Sequence, residues 1–315
     1  MAENANMFAD KFQFQTPQVN LARPTAVRMW IVALCAFLVV LQSSLGDSFA
    51  SLIVALSAVA AAVLTEFICL HRGGRTRALR DGSAVASALT LAILLPNQIS
   101  PLYAAAGAVF AIAVAKHSFG GLGSNWINPA AAGWLLIRFS WPDSFMGAIE
   151  ASPLIQFLGN GASAYGGYAT LLTSPFPGII ADRGGLALLI GVVVITAVRA
   201  NRFWVPLVFL AVFSVLTRYA AALPIGGSPW SGDVGFALLS GGTLAAAFLL
   251  ANDPVTGAKS NGGILLATVL MGLLAFFFRF YAAEPYGAFY AVVLVNAIVP
   301  LIRAFERRRL YERFS

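Results

Sequence analysis

Charge is scarce in this chain. Asp, Glu, Lys and Arg make up 10% of its 315 residues and hydrophobic residues 59%, whereas soluble domains carry about a quarter charged residues. That balance excludes an ordinary soluble domain and predicts an integral membrane protein. Histidine and cysteine are scarcer still, at two each. Two lone thiols cannot hold an iron–sulfur cluster or a thiolate zinc site. Cys35 falls in mid-span and Cys69 near the end of the next span, so antiparallel spans would hold them at different depths, too far apart for a disulfide. His71 and His117 both flank spans, which argues against a two-histidine metal site, and no metal is expected. No phosphate-binding loop, dinucleotide fingerprint or metalloprotease motif occurs. Any redox centre must therefore be organic, or shared with another protein of a complex.

Apolar segments are what the chain has instead. Ten lie near 27–45, 48–70, 83–98, 101–116, 129–142, 185–199, 203–221, 234–252, 262–282 and 287–304. They predict an all-α polytopic fold of about ten transmembrane helices. Residues 1–26 form an N-terminal segment, 27–304 a single transmembrane domain and 305–315 a basic tail. About 25 polar residues precede the first apolar stretch, which does not read as a cleavable signal peptide. The net charge of +7 follows position rather than nucleic-acid binding. Alternating the spans puts Lys11, Arg23, Arg28, Arg72, Arg75, Arg77, Arg80, Lys116, Arg199, Arg202, Lys259 and the five arginines of 303–313 on one side. Only Arg138, Arg183, Arg218 and Arg279 fall on the other, so 16 of 20 basic residues share a side. The positive-inside rule makes that side cytoplasmic, with both termini on it.

Three segments, 83–98, 101–116 and 129–142, are too short to cross comfortably and read as re-entrant or broken. Broken helices at matching places in two halves are the best sequence pointer to a buried binding site. Leu94-Leu95-Pro96-Asn97 resembles Leu249-Leu250-Ala251-Asn252, and Asn128-Pro129 with Leu136-Ile137-Arg138 echoes Asn296 through Arg303. With five spans each, the halves would be inverted copies; the alternative is a chance likeness in a narrow composition. The stretch 143–184 contains no clear span and reads as a long outer loop, a kind often functional.

The most informative run is Gly120-Gly121-Leu122-Gly123-Ser124-Asn125-Trp126-Ile127-Asn128-Pro129-Ala130, polar and glycine-rich between spans. Irregular backbone at membrane depth must be buried in protein or line a cavity. Gly120, Gly121 and Gly123 offer bare amides, and Asn125 and Asn128 offer side-chain donors and acceptors. Three carboxylates complete the candidate set. Asp81 opens the third span, where the plain alternative is a helix cap. Glu66 lies one turn inside the second, with pairing to Arg72 or Arg75 as the alternative. Asp253 lies in Asn252-Asp253-Pro254-Val255-Thr256-Gly257, which ends the eighth span, and there the alternative is a helix-stop turn. Each ionisable group at a span is a candidate for an ion pathway.

Several of these stretches resemble one family, which includes RnfD of the Rnf ion-translocating ferredoxin:NAD oxidoreductase complex and NqrB of sodium-translocating NADH:quinone reductase. The run from Lys116 to Ala130 is similar to its G-G-x-G-x-N-x-x-N-P-A signature. Leu79-Arg80-Asp81-Gly82-Ser83-Ala84 resembles L-x-D-G-S-A, Asn252-Asp253-Pro254-Val255-Thr256 resembles T-D-P-V-T, and Thr16-Pro17-Gln18-Val19 resembles an S-P-H opening segment. The resemblance spans nearly the whole chain. It implies a subunit of a bacterial inner-membrane complex that relays electrons through flavin while Na⁺ or H⁺ moves, acting with the other subunits rather than as an enzyme alone. It also implies FMN joined through its phosphate to a threonine in an S-G-A-T-like motif. Here that motif is degraded to Gly167-Tyr168-Ala169-Thr170, making Thr170 the candidate for attachment. Ser240-Gly241-Gly242-Thr243 looks closer to the motif but sits inside a span. A second, non-covalent flavin is left open. Membrane lipid is an expected partner and nucleic acid is not. Two other readings suit the same pattern: a transporter or channel for a small polar solute, and a non-redox scaffold within the complex.

Overall fold

The computed structural model of the protein describes residues 25–72, 76–146, 166–173, 178–198, 202–225, 227–253 and 255–314. Among them the secondary structure is helical throughout, apart from an isolated bridge between Pro96 and Ile179. The Thr16–Val19 segment, Arg75, Pro254 and most of the expected outer loop lie outside the described residues.

The first half comprises α1 (Thr25–Ser44), α2 (Ala50–Arg72), α3 (Ser83–Ile93), α4 (Pro101–Phe110) and α5 (Pro129–Ser140). Proline sets the first turn of both α4 and α5, where its missing N–H costs nothing. With eleven residues, α3 is only about 16 Å long, half the hydrocarbon thickness, as expected of a broken span. The expectation for 101–116 is corrected. There α4 runs on through a π turn (Ala111–Lys116) into a 3₁₀ turn (His117–Phe119), giving a largely apolar span of 19 residues, enough to cross.

A linking segment carries α6 (Tyr168–Thr173) and α7 (Ile180–Arg183). α7 is buried rather than looped out, since the Ile180 amide donates to Leu95 O at 2.9 Å, just past the end of α3. The second half is α8 (Gly185–Ala197), α9 (Trp204–Ala220), α10 (Val234–Leu239), α11 (Thr243–Ala245) continued by a π turn over Ala246–Leu250, α12 (Asn261–Phe280) and α13 (Gly287–Phe314). The expected basic tail from 305 is thus the last stretch of α13. All ten apolar segments coincide with helices, and five of these are long and apolar enough to cross a membrane.

Packing follows the repeat in part. α2 lies along α4 as α9 lies along α12, α4 packs on α5 as α12 packs on α13, and α1 joins the halves by packing on α8. The matched stop sequences end at opposite ends of the molecule. Asn97, beyond α3, donates to Asp47 in the α1–α2 turn, whereas Asp253, beyond α11, accepts from Asn128 ahead of α5. Inverted copies require that placement. The π turns break the match, because one extends α4 and the other extends α11.

In the second half the break falls inside the span, at Gly241 and Gly242. Both are left-handed (φ 63° and 66°), a conformation that side chains resist. The exposed polar groups at this break are satisfied from two sides. Asp182 of α7 accepts from the Gly241 and Gly242 amides at 3.0 and 2.8 Å. Arg279 of α12, 1% exposed, donates to Ala237 O, Ser240 O and Oγ, and Thr243 Oγ1 at 2.6–2.9 Å.

Candidate functional site

Asn128 fixes the start of α5. Its Oδ1 accepts from the Ala130 and Ala131 amides at 3.0 and 3.3 Å, as a helix-capping side chain does. That leaves its Nδ2 to donate to Asp253 Oδ2 at 3.2 Å. Asp253 Oδ1 accepts from the Val255 amide at 2.9 Å, which folds the turn after α11 around the carboxylate. Asn252 secures the turn by donating to Arg202 O, and Arg303 of α13 secures it by donating to Val255 O and Gly257 O. The polar runs of the two halves thus meet through one side-chain bond.

Beside that bond lies a cavity of about 90 Å³. Ser83, Ser87 and Thr90 line it from one face of α3, at the four- and three-residue spacing of a helix. Lys116, Asn125, Asn128 and Asp253 line it from the other elements. Asn125 is 5% exposed and directs its Nδ2 to Ile127 O at 3.1 Å. A water takes about 30 Å³ of liquid volume, so the cavity suits an ion with a few waters.

The Arg72 side chain and Arg75, the partners expected for Glu66, lie outside the described residues. Glu66 is partnered by Lys116, whose Nζ donates to Glu66 Oε1 and Oε2 at 2.7 and 2.6 Å and to Ser83 Oγ at 2.6 Å. Glu66 and Lys116 are each 2% exposed. Asp81 stands outside the cavity lining. Its Oδ1 accepts from Ser83 N and Oγ at 2.8 and 2.6 Å, a cap that also holds the serine against Lys116. Gly120, Gly121 and Gly123, left-handed at φ 94–108°, turn the chain back after α4. The Gly120 and Gly121 amides close that turn on His117 O and Lys116 O, and none of the three glycines lines the cavity.

Thr170 lies apart, on α6, partly exposed, with its hydroxyl donating to Gly166 O at 3.1 Å. Nearby, the Tyr168 hydroxyl donates to Asp233 at 2.8 Å, and the carboxylate pushes the phenol's pKa up. The rival threonine is unsuited to modification. Thr243 is fully buried, and its hydroxyl is committed to the helix break and to Arg279.

Pockets for drug-sized ligands run from about 300 Å³ upward, so the 90 Å³ cavity does not fit an isoalloxazine ring. A larger groove of about 760 Å³ opens on the outer face between α1, α2 and α3. Among the described residues it is lined by Trp30, Phe67, Gly82 and aliphatic side chains, with no ionisable group to orient a ligand. Thr170 does fit a phosphoester, since its hydroxyl is accessible and, among the described residues, would give up one local bond.

Sequence reasoning missed Lys116, Ser87 and Thr90 at the cavity, and Asp182 and Arg279 at the break. A lysine at a span end reads as a topology marker, and the small hydroxyls of α3 hide in an apolar run. The signal for Lys116 was its position directly before the glycine-rich run.

The chain is similar throughout to known proteins. Residues 13–312 match the NQR2, RnfD, RnfE family. The chain is 30% identical to the D component of the ion-translocating oxidoreductase complex of Vibrio cholerae, over 95% of this chain and 99% of that protein. It is 28% identical to the D component of the proton-translocating ferredoxin:NAD(+) oxidoreductase complex of Clostridium ljungdahlii, over 93% of each. The D component of the ion-translocating oxidoreductase complex of Erwinia tasmaniensis is 30% identical over 83% of this chain and 86% of its own length.

Proposed function

The chain belongs to the NQR2, RnfD, RnfE family, and from that membership we propose that it is a membrane subunit of a complex coupling electron transfer to movement of Na⁺ or H⁺. The observation that carries the reading is the Asn128–Asp253 bond, which brings the polar runs of both halves to the wall of one small cavity. Asp253 takes its hydrogen bonds from neutral donors, which leaves its charge available to a cation. Asn125, Ser87 and Thr90 add neutral oxygens, the ligands that hard cations prefer. Placing this cavity at the basic end makes it the cytoplasmic mouth of the path in a bacterial inner membrane, with the other subunits of the complex as neighbours.

FMN would be held at Thr170 through a phosphoester, at the end away from the cavity. Bound flavin supplies one- and two-electron transfer. The chain's own part there is to offer an accessible hydroxyl on α6, which the Tyr168–Asp233 bond pins against α10. The redox half of the reading is tested by mass spectrometry of the peptide containing Thr170 in purified protein. An FMN adduct is expected. A colourless, flavin-free preparation would favour a solute carrier or a scaffold protein instead.

A further inference from the structure

Lys116 is the cation that sequence reasoning left as a topology marker, and its setting asks for a different role. Its ammonium is buried, grips both oxygens of Glu66 and the Ser83 hydroxyl, and forms part of the wall of the cavity that holds Asp253. It ends the π turn Ala111–Lys116, and π turns within helices recur at functional sites. Lysine carries its charge on a flexible four-carbon stem, so a short swing redirects it. Two carboxylates thus border one tethered ammonium, Glu66 in contact with it and Asp253 on the wall of the same cavity. Glu66 also has His117 Nε2 at 3.8 Å, and Asp81 reaches Lys116 only through Ser83. Asp253 feels Lys259 from the turn beyond.

We propose that Lys116 governs occupancy of the cavity as a tethered cation. Held on Glu66 and Ser83, it leaves Asp253 open to a mobile monovalent cation; released from Glu66, it moves to Asp253 and excludes that cation. The proposal rests on reading the cavity as an ion site and adds the group that gates it. The two positions are mutually exclusive. A second positive charge in so small and buried a cavity is repelled strongly, because the local dielectric screens little.

The test is thermal unfolding of the full-length protein in detergent, in NaCl against choline chloride at equal ionic strength. A ligand that binds only the folded state raises the melting temperature as its concentration rises. Na⁺ is expected to stabilise the wild type. Glu66→Gln should abolish that shift by releasing Lys116, and Glu66→Gln with Lys116→Met should restore it. Asp253→Asn should abolish it in every background. A full Na⁺ shift in Glu66→Gln, or no recovery in the double variant, overturns the role of Lys116 and leaves the ion reading standing. A shift that survives Asp253→Asn overturns the cavity as the Na⁺ site, and a wild type indifferent to Na⁺ overturns both that site and the role of Lys116, leaving only a proton path. Should Glu66→Gln fail to fold, Lys116→Gln addresses the same point. Losing the competitor should lower the half-saturating Na⁺ about tenfold, within the usual range of coupling between two sites. An unchanged or higher value contradicts the proposal.

Discussion

Thr170 occupies a place where a modified side chain has room, on a short helix with its hydroxyl bonded, among the described residues, to its own turn. Thr170→Ala should therefore remove covalent flavin fluorescence from the band on a denaturing gel without loss of folding. Fluorescence that persists would move the attachment to another hydroxyl. Asn296 poses a different question at the same scale. It is fully buried in α13, and neither amide atom has a hydrogen-bond partner among the described residues. An unpaired buried amide costs about 1–3 kcal/mol on mutational scales. Asn296→Leu should accordingly raise the melting temperature in detergent. A lowered one would show that water or an ion satisfies the amide in the working protein, extending the polar path past the cavity. The isosteric apolar side chain makes the comparison direct, since size hardly changes.

At the scale of elements, the broken helix α10–α11 depends on charges brought by other helices. Gly241 and Gly242 open the backbone, Asp182 takes the freed amides, and Arg279 takes the freed carbonyls. Arg279→Leu should cost about 3–5 kcal/mol, the usual loss when one partner of a buried charge pair is removed. The melting temperature should fall steeply, and Asp182→Asn in the same chain should recover part of the loss. Two variants with simply additive losses would show that the groups act independently.

Every long helix was legible in the sequence, because runs of apolar residues at membrane length have no other stable solution. The shortness of α3 was legible too, from Pro96 and Asn97. The extension of α4 was not, since the π turn over Ala111–Lys116 leaves no mark in composition. The Asn128–Asp253 meeting could be guessed only as two polar runs in matched halves. Glu66 was singled out as a carboxylate one turn inside a span end, and it is buried there, but its partner lay 50 residues away on another helix, beyond any spacing rule. Arg279 looked like one of four basic residues on the sparse side. Its burial arises from the glycine break on a neighbouring helix, which the residues of α12 alone cannot reveal.

Over the whole molecule, the charge alternation and the contacts agree. Lys116 meets Glu66, Asn252 meets Arg202 and Arg303 meets Gly257 at the basic end. Arg183 meets Gly46, Arg138 meets Glu284 and Arg218 meets Gly232 at the other. None of these bonds joins residues that the alternation assigns to opposite sides. The molecule therefore has its small polar cavity at one end and its candidate flavin threonine near the other. Under the proposed function, such a layout would separate the ion's entry from the electron's, and coupling would pass through the helices that join them. Asp253 is the residue on which this account turns, since both halves converge on its carboxylate.

The decisive measurement is ion uptake per electron transferred by the reconstituted complex in sealed vesicles, wild type against Asp253→Asn. The account predicts that the variant assembles and still passes electrons while uptake per electron falls to background. An unchanged ratio in an assembled complex would place the ion elsewhere and contradict it.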